Sequence, residues 1–362
     1  MGILLTIATA VLLSCTNNSD NIQEDLKSAD NTTYSRSSLI ADVISDPSLG
    51  EYGRLIFPVQ TSYWSGSTLE QLRLTYYNYI DPNMTVEIVN YMKRHAVEGE
   101  VIFYDIYSES EKQSDADKRN TGLFFFKGQQ GAPFAVCNAG GAFAYVGAMH
   151  DSFPHALSLS KKGYNAFALI YRTGNAYEDL ARAIEFIYDN ADRLGVSQEG
   201  YSLWGGSAGA RMVAVLGNSN YMRQLTRRHD IPQAAAVVMQ YTGYSDANRY
   251  DAPAYVCVGT SDGIASWRTM QSRLERLEAF GIPTEFHAYR DLPHGFGLGV
   301  GTEAEGWIDD AVRFWERQSG RTSVSEVKTE KGQGRKIYSI DGARRGKPQK
   351  GLNIISNRKV IL

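Results

Sequence analysis

The stretch Gly200-Tyr201-Ser202-Leu203-Trp204-Gly205-Gly206-Ser207-Ala208-Gly209 decides how this chain is read. An apolar run ends in Gly-Gly-Ser-Ala-Gly, and Ala210-Arg211-Met212-Val213-Ala214-Val215-Leu216 continues in helix-forming residues. The pattern predicts a strand, a sharp turn with Ser207 at its apex, and a helix. Gly205, Ser207 and Gly209 fit G-x-S-x-G, the nucleophile-elbow pattern. The glycines have a steric reason: a side chain at either flanking position would meet the neighbouring strand or helix. Ser207 then stands at a helix N-terminus, whose free N–H groups favour developing negative charge. A Gly-rich turn carrying an ordinary serine would show the same pentapeptide. The nucleophile reading therefore depends on what else the chain supplies.

Outward from this stretch, apolar strands alternate with helices. Strand patterns run over Val101 to Tyr107, Gly122 to Phe126, Pro133 to Asn138, Asn165 to Tyr171, Ala234 to Tyr241, Ala254 to Gly259 and Thr284 to Tyr289. Helical patterns cover Thr85 to His95, Phe153 to Lys162, Tyr177 to Leu194 (closed by Gly195), Ser266 to Phe280 and Ala304 to Arg317. A charged loop is expected from Glu109 to Asn120. This alternation predicts an α/β fold with a mostly parallel central sheet covered by helices on both faces. In such sheets the chemistry sits at the C-terminal ends of the strands.

A serine nucleophile needs a base, an acid to orient that base, and donors for an oxyanion. Among six histidines, His294 has the best setting, in the Gly-rich loop Leu292-Pro293-His294-Gly295-Phe296-Gly297-Leu298-Gly299 between a strand and the last helix. His287 lies within a strand, and His95 and His229 sit among charges. His150 and His155 flank a helix and are candidates for substrate contact. Asp262 follows directly on the strand Tyr255 to Gly259 and falls between Ser207 and His294, giving the order Ser, Asp, His. Asp246, Asp251 and Asp291 are its rivals. The loop Ala139-Gly140-Gly141-Ala142-Phe143 follows a strand, and its small residues let backbone N–H groups approach a carbonyl oxygen. Ala208 N–H, with Gly141 or Ala142 N–H, is the expected oxyanion hole.

Together, Gly140-Gly141, Gly205-Gly206-Ser207-Ala208-Gly209, Asp262-Gly263-Ile264-Ala265 and His294-Gly295-Phe296-Gly297 resemble the acetylesterase/lipase branch of the α/β-hydrolase superfamily. The similarity spans about residues 52 to 318 and is greatest to carbohydrate-esterase-like hydrolases related to acetylxylan and feruloyl esterases. Ala142 stands where that family commonly has a third glycine. The resemblance implies an α/β-hydrolase fold and a serine carboxylesterase using Ser207, His294 and Asp262, with no cofactor and no metal. It further implies acyl, chiefly acetyl, esters on plant polysaccharide fragments as substrates. A peptidase of the prolyl-oligopeptidase type shares the catalytic domain, but no repeat of propeller-blade length is visible. A non-catalytic binding module on the same fold is the other alternative.

The remaining segments concern placement and specificity. Residues 1–14 read as an export signal, with an apolar run from Ile3 to Leu13 that is too short to span a bilayer. Leu12-Leu13-Ser14-Cys15 resembles a bacterial lipobox, which makes Cys15 a lipidation site and the lipid the only membrane link. The expected place is the envelope of a Gram-negative bacterium, or its periplasm or surroundings. Residues 15–45 are polar and read as a flexible linker, ahead of a catalytic domain at 46–320. That domain opens with an aromatic extension, whose Trp64, with Tyr145 further on, is expected to touch substrate. Residues 321–362 form a separate basic tail: from Lys328 onward there are ten Lys or Arg against two acids. Strands are expected at 337–345 and 351–355, and the tail resembles the sorting segments of exported Bacteroidetes proteins. The net charge of −3 over 362 residues gives no whole-chain argument for nucleic acid. Cys137 and Cys257 sit in apolar runs and read as buried thiols, suggesting neither a disulfide nor a metal site.

Overall fold

Parallel strands buried on both faces need continuous apolar runs, and Pro133–Asn138 and Asn165–Ile170 are buried at every position. The computed structural model describes residues 33–320 and, beyond them, the strand segments Ile337–Ser339, Arg344–Arg345, Leu352–Ile355 and Arg358–Ile361. Eight strands form the central sheet: β1 (Phe103–Tyr104), β2 (Gly122–Phe126), β3 (Pro133–Asn138), β4 (Asn165–Ile170), β5 (Ser197–Gly206), β6 (Ala236–Gln240), β7 (Ala254–Gly259) and β8 (Thr284–Tyr289). Their spatial order is β8-β7-β6-β5-β3-β4-β2-β1. Only the pairs β1·β2 and β2·β4 are antiparallel; β3 to β8 are parallel.

Helices flank this sheet. The principal ones are α1 (Pro82–Val97), α2 (Phe153–Lys161), α3 (Ala176–Asp189), α4 (Ala208–Leu216), α5 (Ser219–Thr226), α6 (Trp267–Ala279) and α7 (Trp307–Gln318). Helix α2 packs on β2, β3 and β4, α4 on β3, β5 and β6, α6 on β7 and β8, and α7 on β6 and β7. Cys137 and Cys257 are fully buried free thiols. Burial alone pushes the Cys137 thiol far up, so it stays protonated and inert.

Four expectations change. The linker expected over 15–45 ends earlier, because residues 33–45 pack: Ile40–Ile44 is helical, Ile40 and Val43 are buried, and Tyr34 exchanges hydrogen bonds with Asn90 on α1. Two apolar side chains per short helix sufficed to dock a segment whose composition is polar. The loop expected over 109–120 is helical at Glu109–Ser114 and Ala116–Asn120, with Ser108 and Glu111 forming a reciprocal capping box. The strand expected over 101–107 pairs only at Phe103–Tyr104. The helix expected over 177–194 breaks at Asn190, between Asp189 and Ala191, and closes with Gly195 left-handed.

The chain divides into two units, Met1–Arg321 and Thr322–Leu362. In the second, strands Ile337–Ser339, Arg344–Arg345, Leu352–Ile355 and Arg358–Ile361 pair antiparallel. The signal at 1–14 and Cys15 lie outside the described residues. Among the described residues no helix is long and apolar enough to cross a membrane.

Candidate active site

Strand β5 ends at Gly206, and Ser207 follows with φ 52° and ψ −114° before α4 begins at Ala208. This left-handed backbone is costly for a residue with a Cβ and persists only when the surroundings impose it. The flanking glycines do so. A Cβ on Gly205 would lie 2.3 Å from the backbone of Gly209, and one on Gly209 would lie 2.0 Å from the carbonyl oxygen of Asn138. The backbones of β3, β5 and α4 therefore meet in contact, with the serine hydroxyl lifted above them.

His294 reaches Ser207 from the loop after β8. Its Nε2 lies 3.0 Å from Ser207 Oγ, and its Nδ1 lies 2.8 Å from Asp262 Oδ2. An ionised carboxylate only accepts, so it holds the proton on Nδ1 and leaves Nε2 to accept from the serine O–H. Asp262 is itself aimed: its Oδ1 accepts the N–H groups of Ile264 at 2.8 Å and Ala265 at 2.7 Å. The Asp262 side chain has no exposure and that of His294 only 9%. Tyr241 stands edge-on to the imidazole at 4.9 Å between ring centroids. The rival acids are engaged elsewhere. Asp251 binds Asn218 at 2.9 Å and lies 3.6 Å from Arg273, and Asp291 faces solvent.

The loop after β3 runs against the nucleophile, since a Cβ on Gly140 would lie 2.9 Å from Ser207 Cβ. Gly141, Ala142 and Phe143 take successive positive φ values of 120°, 55° and 56°. Ala142 thus adopts the left-handed form at a cost of roughly 1–2 kcal/mol. The Gly141 carbonyl accepts from Ala144 N–H, and the Gly140 carbonyl from Gly147 N–H, both at 2.9 Å. Gly140 N–H is spent on Asp151 at 3.1 Å. The N–H groups of Gly141 and Ala142 have no acceptor among the described residues. Ala208, the first residue of α4, has none within its helix. The three expected donors are thus free, beside Ser207.

The expected substrate contacts fare differently. Tyr145 is fully buried, its hydroxyl donating to the Thr75 carbonyl and its ring stacked on Tyr63 at 5.1 Å. Trp64 donates to the Pro58 carbonyl at 2.9 Å and packs on Phe57. Tyr145 therefore serves packing, whereas Trp64 is only partly buried. His155 is buried under Trp307, out of reach of a ligand, and burial pushes its imidazole down to about 4. His150 is partly covered, its Nε2 lying 2.8 Å from the Gly295 carbonyl. Tyr76 does stand exposed, 51% open with φ 75°, lying over Tyr145 at 6.3 Å. Its carbonyl oxygen lies 4.0 Å from the Cβ position of Gly295, next to His294. A run of tyrosines, Tyr76-Tyr77-Asn78-Tyr79, was its only signal in the sequence.

A cleft of about 170 Å³ is lined by Val146, Tyr171, Arg172 and Asn175 among others. A second, of about 80 Å³, is lined by His150, Phe296 and Tyr79 with their neighbours. One cluster among the described residues has metal-ligand spacing, His95, Glu98 and Glu100 at the end of α1. Its His95 is already hydrogen-bonded to Glu100 at 3.0 Å.

Comparison with known proteins supports the architecture. The acetyl ester-xyloside bifunctional hydrolase of Caldicellulosiruptor lactoaceticus superposes with a TM-score of 0.52, at 18% identity, over 60% of this chain and 96% of that one. The fold is that of the α/β hydrolases. In this chain Ser207, Asp262 and His294 follow β5, β7 and β8. The BD-FAE family model matches residues 126–258, a segment that holds Gly141, Ala142, Ser207 and Ala208 but neither Asp262 nor His294. An α/β hydrolase from a Medee basin deep-sea metagenome is 20% identical with a TM-score of 0.46, covering 55% of this chain and 93% of that one. A thermophilic esterase of Thermogutta terrifontis is 18% identical with a TM-score of 0.48, covering 57% and 90%. No curated protein matches.

Proposed function

We propose that this protein is a serine carboxylesterase that removes acyl groups, chiefly acetyl, from esterified plant polysaccharide fragments. The observation that carries the reading is the bonded line Ser207–His294–Asp262 beside three uncommitted N–H groups. Ser207 Oγ attacks the ester carbonyl as His294 Nε2 takes its proton, and Asp262 stabilises the imidazolium. Negative charge develops on the former carbonyl oxygen, opposite the N–H groups of Gly141, Ala142 and Ala208. The imidazolium then protonates the departing alkoxide, and water repeats the sequence to release the acid. The ester class and the carbohydrate alcohol are supported by the BD-FAE match and by the name of the Caldicellulosiruptor relative. On this reading the alcohol's ring packs on the outward face of Tyr76.

An acyl-ester panel tests it: p-nitrophenyl acetate, ethyl acetate, acetylated xylooligosaccharides and a proline-specific chromogenic peptide. Wild type should release acetate, and Ser207→Ala should lose on the order of 10⁶ in kcat, down to residual binding catalysis. Tyr76→Ala should raise KM for the oligosaccharide and leave ethyl acetate unchanged. Absence of Ser207-dependent ester hydrolysis rejects the proposal, and cleavage of the peptide alone would replace it with a peptidase.

A further inference from the structure

Behind the nucleophile lies a second carboxylate that plays no part in the line Ser207–His294–Asp262. Asp151 closes a short helix, Ala148–Asp151, and is fully buried. Its Oδ2 accepts from Tyr77 Oη–H at 2.5 Å and from Gly140 N–H at 3.1 Å. Its Oδ1 accepts from Tyr241 Oη–H at 2.6 Å, with His150 Nε2 at 3.8 Å. A Cβ on Gly206 would lie 2.6 Å from the Asp151 carboxyl carbon, so the carboxylate presses on the residue before Ser207. Burying a carboxylate is costly unless it is well hydrogen-bonded, and each of these partners belongs to a different segment of the site.

Gly140 starts the oxyanion loop. Its N–H is tied to Asp151, and the next two N–H groups are the free ones. Tyr241 packs edge-on against His294. Tyr77 follows Tyr76 and lies 4.3 Å from the His150 ring, which in turn holds the Gly295 carbonyl. Burial, and then the charge of Asp151, push both tyrosine hydroxyls well above their ordinary range, so both remain donors. One carboxylate therefore grips the oxyanion loop, the packing of the base and the rim of the site at once.

We infer that Asp151 is a positioning residue that sets the oxyanion loop and His294 in register over Ser207. This rests on the esterase reading, but part of its test does not. Asn at 151 can still accept from Tyr77 and Gly140, while its amide faces the Tyr241 oxygen, which can accept. Ala leaves all three donors unpaired. With p-nitrophenyl acetate, Asp151→Asn should stay within about tenfold of wild type, and Asp151→Ala should lose about 10²–10³ in kcat, the loss expected for one oxyanion donor. KM should change by less than about threefold in both. Affinity for a boronic acid, which forms a tetrahedral adduct on the serine, should fall by the factor lost in kcat/KM.

The rate of Ser207 labelling by a fluorophosphonate should fall in the same order, and it needs no ester substrate. If wild type hydrolyses no ester, the function proposed above fails while this rate still reports on Asp151. Should Asp151→Ala not fold, Tyr241→Phe and Tyr77→Phe remove one bond each and should each lower kcat and the labelling rate. Folded variants with wild-type kcat, boronate affinity and labelling rate overturn the inference. So does a kcat loss fully accounted for by a smaller titratable fraction of folded sites.

Discussion

At the scale of single residues, Ser207, Asp262 and His294 were legible because each lies where an apolar strand gives way to small residues. The choice of Asp262 over Asp246, Asp251 and Asp291 needed only chain order and a strand end, and the 2.8 Å contact with His294 agrees with it. Asp151 was not legible. In sequence it is an acid at a helix start, the commonest place for a solvated one. Its partners Gly140, Tyr77 and Tyr241 lie 11, 74 and 90 positions away. Tyr145, which is fully buried, was misread for the same reason, since nothing in a sequence says which side of an aromatic ring faces water. His155 yields a prediction of its own. Burial is the main cause of its fall from 6.5 to about 4, with Asp151 opposing it. Below pH 6.5 the unfolded chain therefore takes a proton that the folded one refuses. The stability this group contributes is present above pH 6.5 and is lost as pH falls toward 4, up to about 3 kcal/mol in all. Urea unfolding at pH 7 and pH 5 should show the drop, and His155→Gln should make it shallower. An unchanged slope in His155→Gln would show that another group carries the dependence.

At the scale of elements, the parallel strands were the clearest features, because burial on both faces forces an unbroken apolar run. Pro133–Asn138 and Ala254–Gly259 begin and end where that pattern does. The short helix Glu109–Ser114 escaped notice although Ser108 and Glu111 spell a capping box, because its charged composition hid the local hydrogen-bond chemistry. The elbow between β5 and α4 tests whether backbone contact governs its glycines. A methyl on Gly209 would sit 2.0 Å from the Asn138 carbonyl oxygen. Gly209→Ala should therefore destabilise the fold by about 1–3 kcal/mol, the usual range for overpacking. It should also shift Ser207 enough to cut activity. Melting temperature and fluorophosphonate labelling measure both, and a variant with wild-type values in each would refute the steric account. By contrast, Gly263 has open space at its Cβ position, so Gly263→Ala serves as the control.

At the scale of the whole molecule, the alternation of strands and helices leads to the α/β-hydrolase sheet, and the order Ser, Asp, His leads to its three loops. An envelope location is a proposal from residues 1–15 alone, so it is tested in the cell. Expressed with its own leader in a Gram-negative host, the chain should incorporate a labelled fatty acid, and Cys15→Ser should abolish the label. Unlabelled wild type, or label persisting in Cys15→Ser, would count against a lipid anchor. Periodicity, turn glycines and chain order are local properties, and with them the sequence by itself determined the fold class, most strand positions and which Ser, Asp and His to look for. Contacts between segments far apart in the chain are not local. Only the tertiary structure decided that residues 33–45 dock on α1, that Tyr145 is buried while Tyr76 stands exposed, and that Asp151 grips three separate segments. Those outcomes depend on which surfaces meet once the sheet has closed, a matter of burial and hydrogen-bond geometry that no short stretch encodes.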